Sequence, residues 1–239
     1  MAKNSKFPKE GLQFLRNLKR HNNRVWFQKH KVIYEESVRR PMELLVESMA
    51  LEFTKFAPDI VASPKMSLYR INRDTRFAKD KSPYKTHVAA VFPQRGLEKH
   101  AGAGFYLHIG PDELLVGGGL YRPLPEDLRA VREHMAAHYG SFETIVHALR
   151  FRRMFGSLAG EQLSRVPRGF PADHQASHYL RFKQFLASRL FSPGVATTTK
   201  LHPTLVETFR VLYPLVAFLN EPIIQNRKAK QRQEAFLKT

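Results

Sequence analysis

Between Arg70 and Lys85, six cationic side chains (Arg70, Arg73, Arg76, Lys79, Lys81 and Lys85) and two carboxylates (Asp74 and Asp80) fall within sixteen residues. A guanidinium grips phosphate or carboxylate through two parallel hydrogen bonds, an ammonium adds a point charge, and a neighbouring carboxylate holds an arginine in one rotamer. The residue types therefore read as an anion site. Arg70, Arg73, Arg76 and Lys81 would bind the ligand, Asp74 and Asp80 would orient them, and Asp74 and Tyr84 are candidates for catalytic proton handling. The same residues also read as an Arg/Asp ion-pair network that pins a loop to a sheet.

Two further groups bear on chemistry. Gly117, Gly118 and Gly119 end an apolar run a few residues before Pro125, so bare backbone amides there can approach an anion or a flat ring. A bulge or a close strand crossing accounts for the triplet equally well. Along Ala103 to Gly110, alternation places Tyr106 and His108 on one face and Phe105, Leu107 and Ile109 on the other. The second set reads as core. The first set reads as the lining of a cleft, with Tyr106 as a ligand contact and His108 as a candidate general acid or base, or simply as a satisfied strand histidine. His174 and His178 have the spacing of a helical metal pair without an evident third ligand, so no metal site is assigned and no cofactor is identified. No Gly-Lys-Ser/Thr follows the triplet, and neither His-Glu-x-x-His nor Gly-x-Ser-x-Gly occurs.

The pattern R-x-x-R-D-x-R-F-x-x-[DN]-K-x-x-Y, filled by Arg70, Arg73, Asp74, Arg76, Phe77, Asp80, Lys81 and Tyr84, resembles the hallmark of an uncharacterised bacterial and fungal family. That family is catalogued as domain of unknown function 2461. The likeness extends to Trp26-Phe27, to Gly104 through Ile109, to Gly117 through Pro123 and to Pro167 through Phe170. The resemblance implies a cytosolic protein of about this length, and it brings no agreed activity, ligand or catalytic residue.

The elements that must position these groups follow from periodicity. Leu12, Leu15 and Leu18 recur at helical spacing, Asn22-Asn23 offers a stop and a fresh N-cap, and Trp26, His30, Ile33, Tyr34 and Val38 form a second stripe. Pro41 suits the first turn of a third helix through Phe56. From Met66 the period becomes that of strands: Met66–Asn72, Thr86–Phe92, Ala103–Gly110 and Glu113–Leu120, the last two joined by the short turn Gly110-Pro111-Asp112. No helical crossover separates them, so the expected fold is α+β, a mainly antiparallel sheet over about residues 66–120 packed with N-terminal and C-terminal helices. Helices are expected again from Pro125 to His138, from Phe142 to Phe155, from Asp173 to Leu190 and from Pro203 to Leu219, with a strand or loop at Phe191–Thr198. The expected organisation is a single domain over residues 1–224 and a frayed basic tail over residues 225–239.

The chain of 239 residues is long enough to bury a full core, and its 43% hydrophobic content places it among globular proteins. It holds no cysteine, which excludes a disulfide framework, thiolate zinc and a cysteine nucleophile, and fits a reducing cytoplasm. The longest apolar stretch, Val211 to Leu219, is too short to span a bilayer, so no membrane partner is expected. Lys and Arg total 39 against 21 Asp and Glu, a net charge of +18. A field of that sign attracts phosphates and nucleic acid alike. Three readings stand from the sequence: binding or turnover of a small phosphorylated or carboxylated ligand, a nucleic-acid-binding module using the basic surface and tail, or a structural ion-pair network with no ligand.

Overall fold

The computed structural model describes residues 6–236. Three helices open the chain: α1 (Lys9–Arg20), α2 (Arg24–Lys29) and α3 (Lys31–Tyr34). The last runs through a π-helical turn, Glu35–Arg39, into α4 (Arg40–Phe56). The Asn23 side chain caps α2 by accepting from the Trp26 amide at 2.9 Å, as its residue type foretells. A short turn α5 (Pro64–Ser67) leads to β1 (Val88–Phe92), β2 (Gly104–Ile109) and β3 (Leu114–Leu120). Then come α6 (Pro125–Ala137), α7 (Tyr139–His147), α8 (Leu149–Phe155), α9 (Ser177–Leu180), β4 (Phe185–Phe191), a 3-10 turn at Pro193–Thr197 and α10 (Leu201–Phe236). The four strands form one antiparallel sheet in the order β1-β2-β3-β4, packed against the N-terminal helices and α10, so the chain is α+β. Among the described residues, no helix is long and apolar enough to cross a membrane.

The chain divides into two compact units. The first comprises Met1–Phe92, Tyr106–Val116 and Arg189–Phe209; the second comprises Pro93–Phe105, Gly117–Ser188 and Arg210–Thr239. In the first, Leu12, Leu15 and Leu18 of α1 are buried with Met42, Met49 and Phe53 of α4. Phe53, Phe92 and Phe209 meet in edge-on pairs at 5.1, 5.6 and 5.9 Å between ring centres, joining α4, β1 and the start of α10. In the second, Phe142 packs on Phe218 and Tyr179. The Asn220 amide, fully buried, accepts from the Ala103 N–H at 2.8 Å and donates to the Ala103 carbonyl and to Gln94. Every polar group of that amide is thereby used, which is what allows it inside.

Several elements differ from the periodicity reading. Met66–Asn72 does not form a regular strand: Pro64 starts the helical turn α5, and isolated bridges, Leu68 to Ala90 and Asn72 to Tyr84, with scattered backbone hydrogen bonds tie the segment to its partner. The fourth strand is instead β4, from within the stretch Asp173–Leu190 expected as a helix. Its residues Phe185 and Ala187 are buried on alternate positions, and the backbone of Leu186 pairs with Ala159. The expected helix Phe142–Phe155 breaks where Ala148 takes an extended conformation. Helix α10 runs 36 residues, through Pro214 and Pro222 and well past Leu219. The last turns are held where Arg227 Nη2 pairs with the buried Asp127 at 3.2 Å and Lys230 Nζ with Glu126 at 2.9 Å. Residues 225–236 therefore continue the helix, and the remaining residues of the expected tail lie outside the described residues.

β3 and β4 lie close because of the glycine triplet. Gly119 has φ +121°, a conformation that L side chains rarely adopt, and a Cβ there would fall on the Phe185 carbonyl; one at Gly118 would strike the Gly104 carbonyl. Gly119→Ala should cost at least about 2 kcal/mol, combining left-handed backbone strain with displacement of β4. The expected outcome is a lowered urea midpoint; an unchanged midpoint would mean that β4 yields freely.

Candidate functional site

Residues 69–89 fold as an irregular antiparallel ribbon. Its rungs run from Tyr69 N–H to the Ala89 carbonyl (3.0 Å), from Lys85 N–H to the Ile71 carbonyl (2.8 Å) and from Arg73 N–H to the Pro83 carbonyl (2.9 Å). Residues 74–82 form the loop at its end. Asp74 accepts from Arg76 Nε at 3.1 Å and Nη2 at 2.8 Å, and also from the Arg76 amide. Asp80 accepts from the Ser82 amide at 2.9 Å, from its hydroxyl, and from Arg73 Nη1. Lys81 Nζ donates to the Thr75 carbonyl at 3.0 Å. The Arg76 hydrogen bonds hold the Asp74 carboxyl at about 2, and the Ser82 hydroxyl and amide, with Arg73, hold that of Asp80 below its ordinary value. Both are acceptors that fix the loop and its arginines, not bases poised near neutrality.

The ribbon is fastened to the first helices by Asn22, whose amide donates to the Tyr84 carbonyl at 2.9 Å and accepts from the Tyr84 N–H at 3.1 Å. The buried Tyr84 ring stacks on Phe27 of α2, 4.0 Å between centres and 17° between planes. Beside Phe27, Trp26 lies flat against His30 at 4.1 Å and packs on Phe14. Between α2 and the ribbon opens a cleft of about 380 Å³, lined by the amides of Asn22, Asn23 and Asn72 and the cations Arg24, Arg73 and Lys81. Thr75, Pro83 and Tyr84 complete it. Among the described lining residues there is no carboxylate. Because the Asn23 oxygen is committed to capping Trp26, its amide nitrogen is left as a donor.

Of the residues singled out from sequence, Arg73, Lys81 and Tyr84 line this cleft; Arg70, Arg76 and Asp74 lie outside it. Gly117, Gly118 and Gly119 belong to the second unit, where neighbouring backbone accounts for their lack of side chains. Sequence reasoning passed over Arg24 and the three asparagines as site residues. The N-cap signal at Asn22-Asn23 was visible, but a contact across sixty residues of chain was not.

Tyr106 and His108 do share a face, in a second cluster of the first unit. Tyr106 Oη lies 3.3 Å from His108 Nδ1, and His108 Nε2 lies 2.9 Å from Glu113 Oε1. His87, unnoticed in the sequence, stacks on His108 at 4.7 Å between ring centres. Lys85 Nζ sits 5.1 Å from the Tyr69 ring centre and donates to the Arg70 carbonyl. Burial, then Arg70 and Arg73, lower the Lys85 ammonium from its ordinary value. Burial first, then His108, Lys85 and Arg73, push His87 down to about 4. Among the described residues, no group of three or more His, Cys, Asp or Glu is placed to hold a metal ion.

His87 carries a pH signature. Its folded value near 4 lies below the ordinary 6.5, so between those values the unfolded chain binds the extra proton. Its contribution to stability is therefore full above pH 6.5 and lost as pH falls towards 4. Proton NMR should give a His87 midpoint near 4, and His87→Gln should flatten the pH dependence of the urea midpoint over that window; a midpoint near 6.5 would contradict the packing described.

No curated protein and no solved structure matches the chain. The family model described as a conserved hypothetical protein, DUF2461, matches residues 10–218. That span runs from α1 through the charged ribbon and both side-chain clusters to the middle of α10, and the chain belongs to the DUF2461 family.

Proposed function

We propose that the cleft between α2 and the ribbon binds a small anionic compound, phosphorylated or carboxylated. The observation that carries this reading is the lining itself: three cations and three amides converge on about 380 Å³ without a carboxylate among the described lining residues. Ligand pockets commonly measure roughly 300–1,000 Å³ and place a few polar groups for orientation. Arg73 is held by Asp80 and Lys81 by the Thr75 carbonyl, so both are preorganised, which lowers the entropy cost of binding. Arg24, exposed on α2, has no carboxylate partner among the described residues and is the most available of the three. The cysteine-free chain accords with a cytoplasmic setting. Arg70, Arg76 and the ion pairs of the loop act in this reading as its scaffold, so the structural network and the ligand site are one construction.

The test is a calorimetric titration with pyrophosphate. Arg24→Ala and Lys81→Ala should each weaken binding about tenfold or more, the worth of a hydrogen bond to a charged group. Affinity unchanged in both variants would sink the reading.

A second reading, a single-stranded nucleic-acid contact, draws on Phe77, 94% exposed at the loop with the Arg76 guanidinium 5.8 Å from its ring centre. Exposed aromatics beside cations stack bases while the charges track phosphates. Labelled single strand titrated at two salt concentrations separates the two. A log-log slope of several units, about −0.7 per phosphate, abolished by Phe77→Ala, favours nucleic acid, whereas a shallow slope indifferent to Phe77→Ala favours the small anion.

A further inference from the structure

The cluster on β2 has the connectivity of a nucleophile, a base and an orienting carboxylate. The Glu113 carboxylate can only accept, so the His108 nitrogen facing it, Nε2, carries a proton. In the neutral imidazole Nδ1 is then bare, and the Tyr106 hydroxyl is the donor in the contact at 3.3 Å. Tyr106 and His108 are two residues apart on one strand and so share a face by backbone geometry rather than by loop placement. The stacked His87 ring fixes the plane of the His108 imidazole. His108 is mostly buried, while Tyr106 is only half-buried and within reach of a solute. A cation stands nearby: Lys85 Nζ lies over Tyr69, whose ring centre is 6.4 Å from that of Tyr106.

From this arrangement we propose that Tyr106 is a nucleophile, activated by His108 and oriented through Glu113, that accepts an acyl group from an anionic activated acyl donor. The proposal concerns a different set of side chains from the cleft and does not depend on what the cleft binds. Tyr106 Oη attacks the acyl carbon, and its proton passes to Nδ1 of His108. The bond from the acyl carbon to the phenol oxygen forms as the bond to the leaving oxygen breaks, and that oxygen departs with the electron pair and takes up the proton. Water then hydrolyses the aryl ester, releasing a carboxylic acid and restoring the phenol. His108 and Glu113 act through Tyr106 and are positioning and proton-accepting residues; Lys85 attracts the donor's negative charge.

Acetyl phosphate serves as the anionic probe and 4-nitrophenyl acetate as the neutral one, with O-acetyl tyrosine quantified by peptide mass spectrometry. Tyr121, 57% exposed and without such a relay among its described contacts, is the internal reference. With acetyl phosphate, Tyr106 should be acetylated at least about tenfold faster than Tyr121, within the range of a positioned base. His108→Phe should bring Tyr106 down to the Tyr121 rate. Lys85→Met should slow the reaction with acetyl phosphate more than that with 4-nitrophenyl acetate, and equal effects on the two overturn the assignment of an anionic donor. Equal rates at Tyr106 and Tyr121 in the wild type overturn the proposal, and so does a Tyr106 rate unaffected by His108→Phe. If circular dichroism shows that His108→Phe does not fold, Glu113→Gln takes its place: a several-fold loss at Tyr106 alone supports the relay, and no loss overturns it.

Discussion

One side chain fastens the charged ribbon to the helices of the first unit: Asn22 grips both backbone polar groups of Tyr84, sixty-two residues away in sequence. The two bonds act as one rung of a sheet whose other strand is an amide side chain. They set the height of the Tyr84 ring on Phe27 and thereby the width of the cleft. An isolated two-stranded ribbon is marginal in water, and this one, paired by bridges and scattered rungs, has little regular ladder of its own. Its order is borrowed from α1 and α2 through that clasp and that stack. An aspartate at position 22 would keep the acceptor and lose the donor, leaving the Tyr84 carbonyl facing a like charge.

The excess of positive charge is managed locally rather than spread evenly. Within the ribbon the two carboxylates are each given to an arginine, and their protonation is suppressed, by Arg76 at Asp74 and by Ser82 first and then Arg73 at Asp80, so the loop is braced across the whole physiological range. These pairs are exposed, and exposed pairs contribute little to global stability. Their effect is geometric: they choose rotamers. The acidic first turn of α6 does something similar, since Glu126 and Asp127 favour the positive end of that helix and also meet Lys230 and Arg227 of α10.

The fold class and three of the four sheet strands were legible because β1, β2 and β3 combine branched or aromatic residues with clear punctuation at proline, glycine and aspartate. β4 was not legible. Its run Phe185 to Phe191 carries Ser188, Arg189 and three further apolar residues in a pattern a helix also permits, and its place in the sheet depends on Gly117 and Gly119 of β3 having no side chains. The triplet read equally as an approach for a ligand and as a close strand crossing, and the backbone around it shows the close crossing. The charged segment was found by density of residue type, which needs no partner. Which of its members face the cleft required the ribbon pairing, and Asn22, Arg24, His87 and Glu113 became visible only through contacts between segments. The short turn at Gly110-Pro111-Asp112 was the one clue that Glu113 folds back on His108.

Trp26 is the sole indole in the chain. It follows two residues after Arg24 of the cleft, its amide is capped by Asn23, and its ring lies between His30 and the more distant His21, with Phe14 beside it. Every photon of tryptophan emission from this protein thus originates beside the cleft, in contact with imidazoles whose protonation quenches an indole. The molecule carries its own fluorophore on α2, two residues from Arg24, so the binding proposed for the cleft has an intrinsic optical test that needs no label.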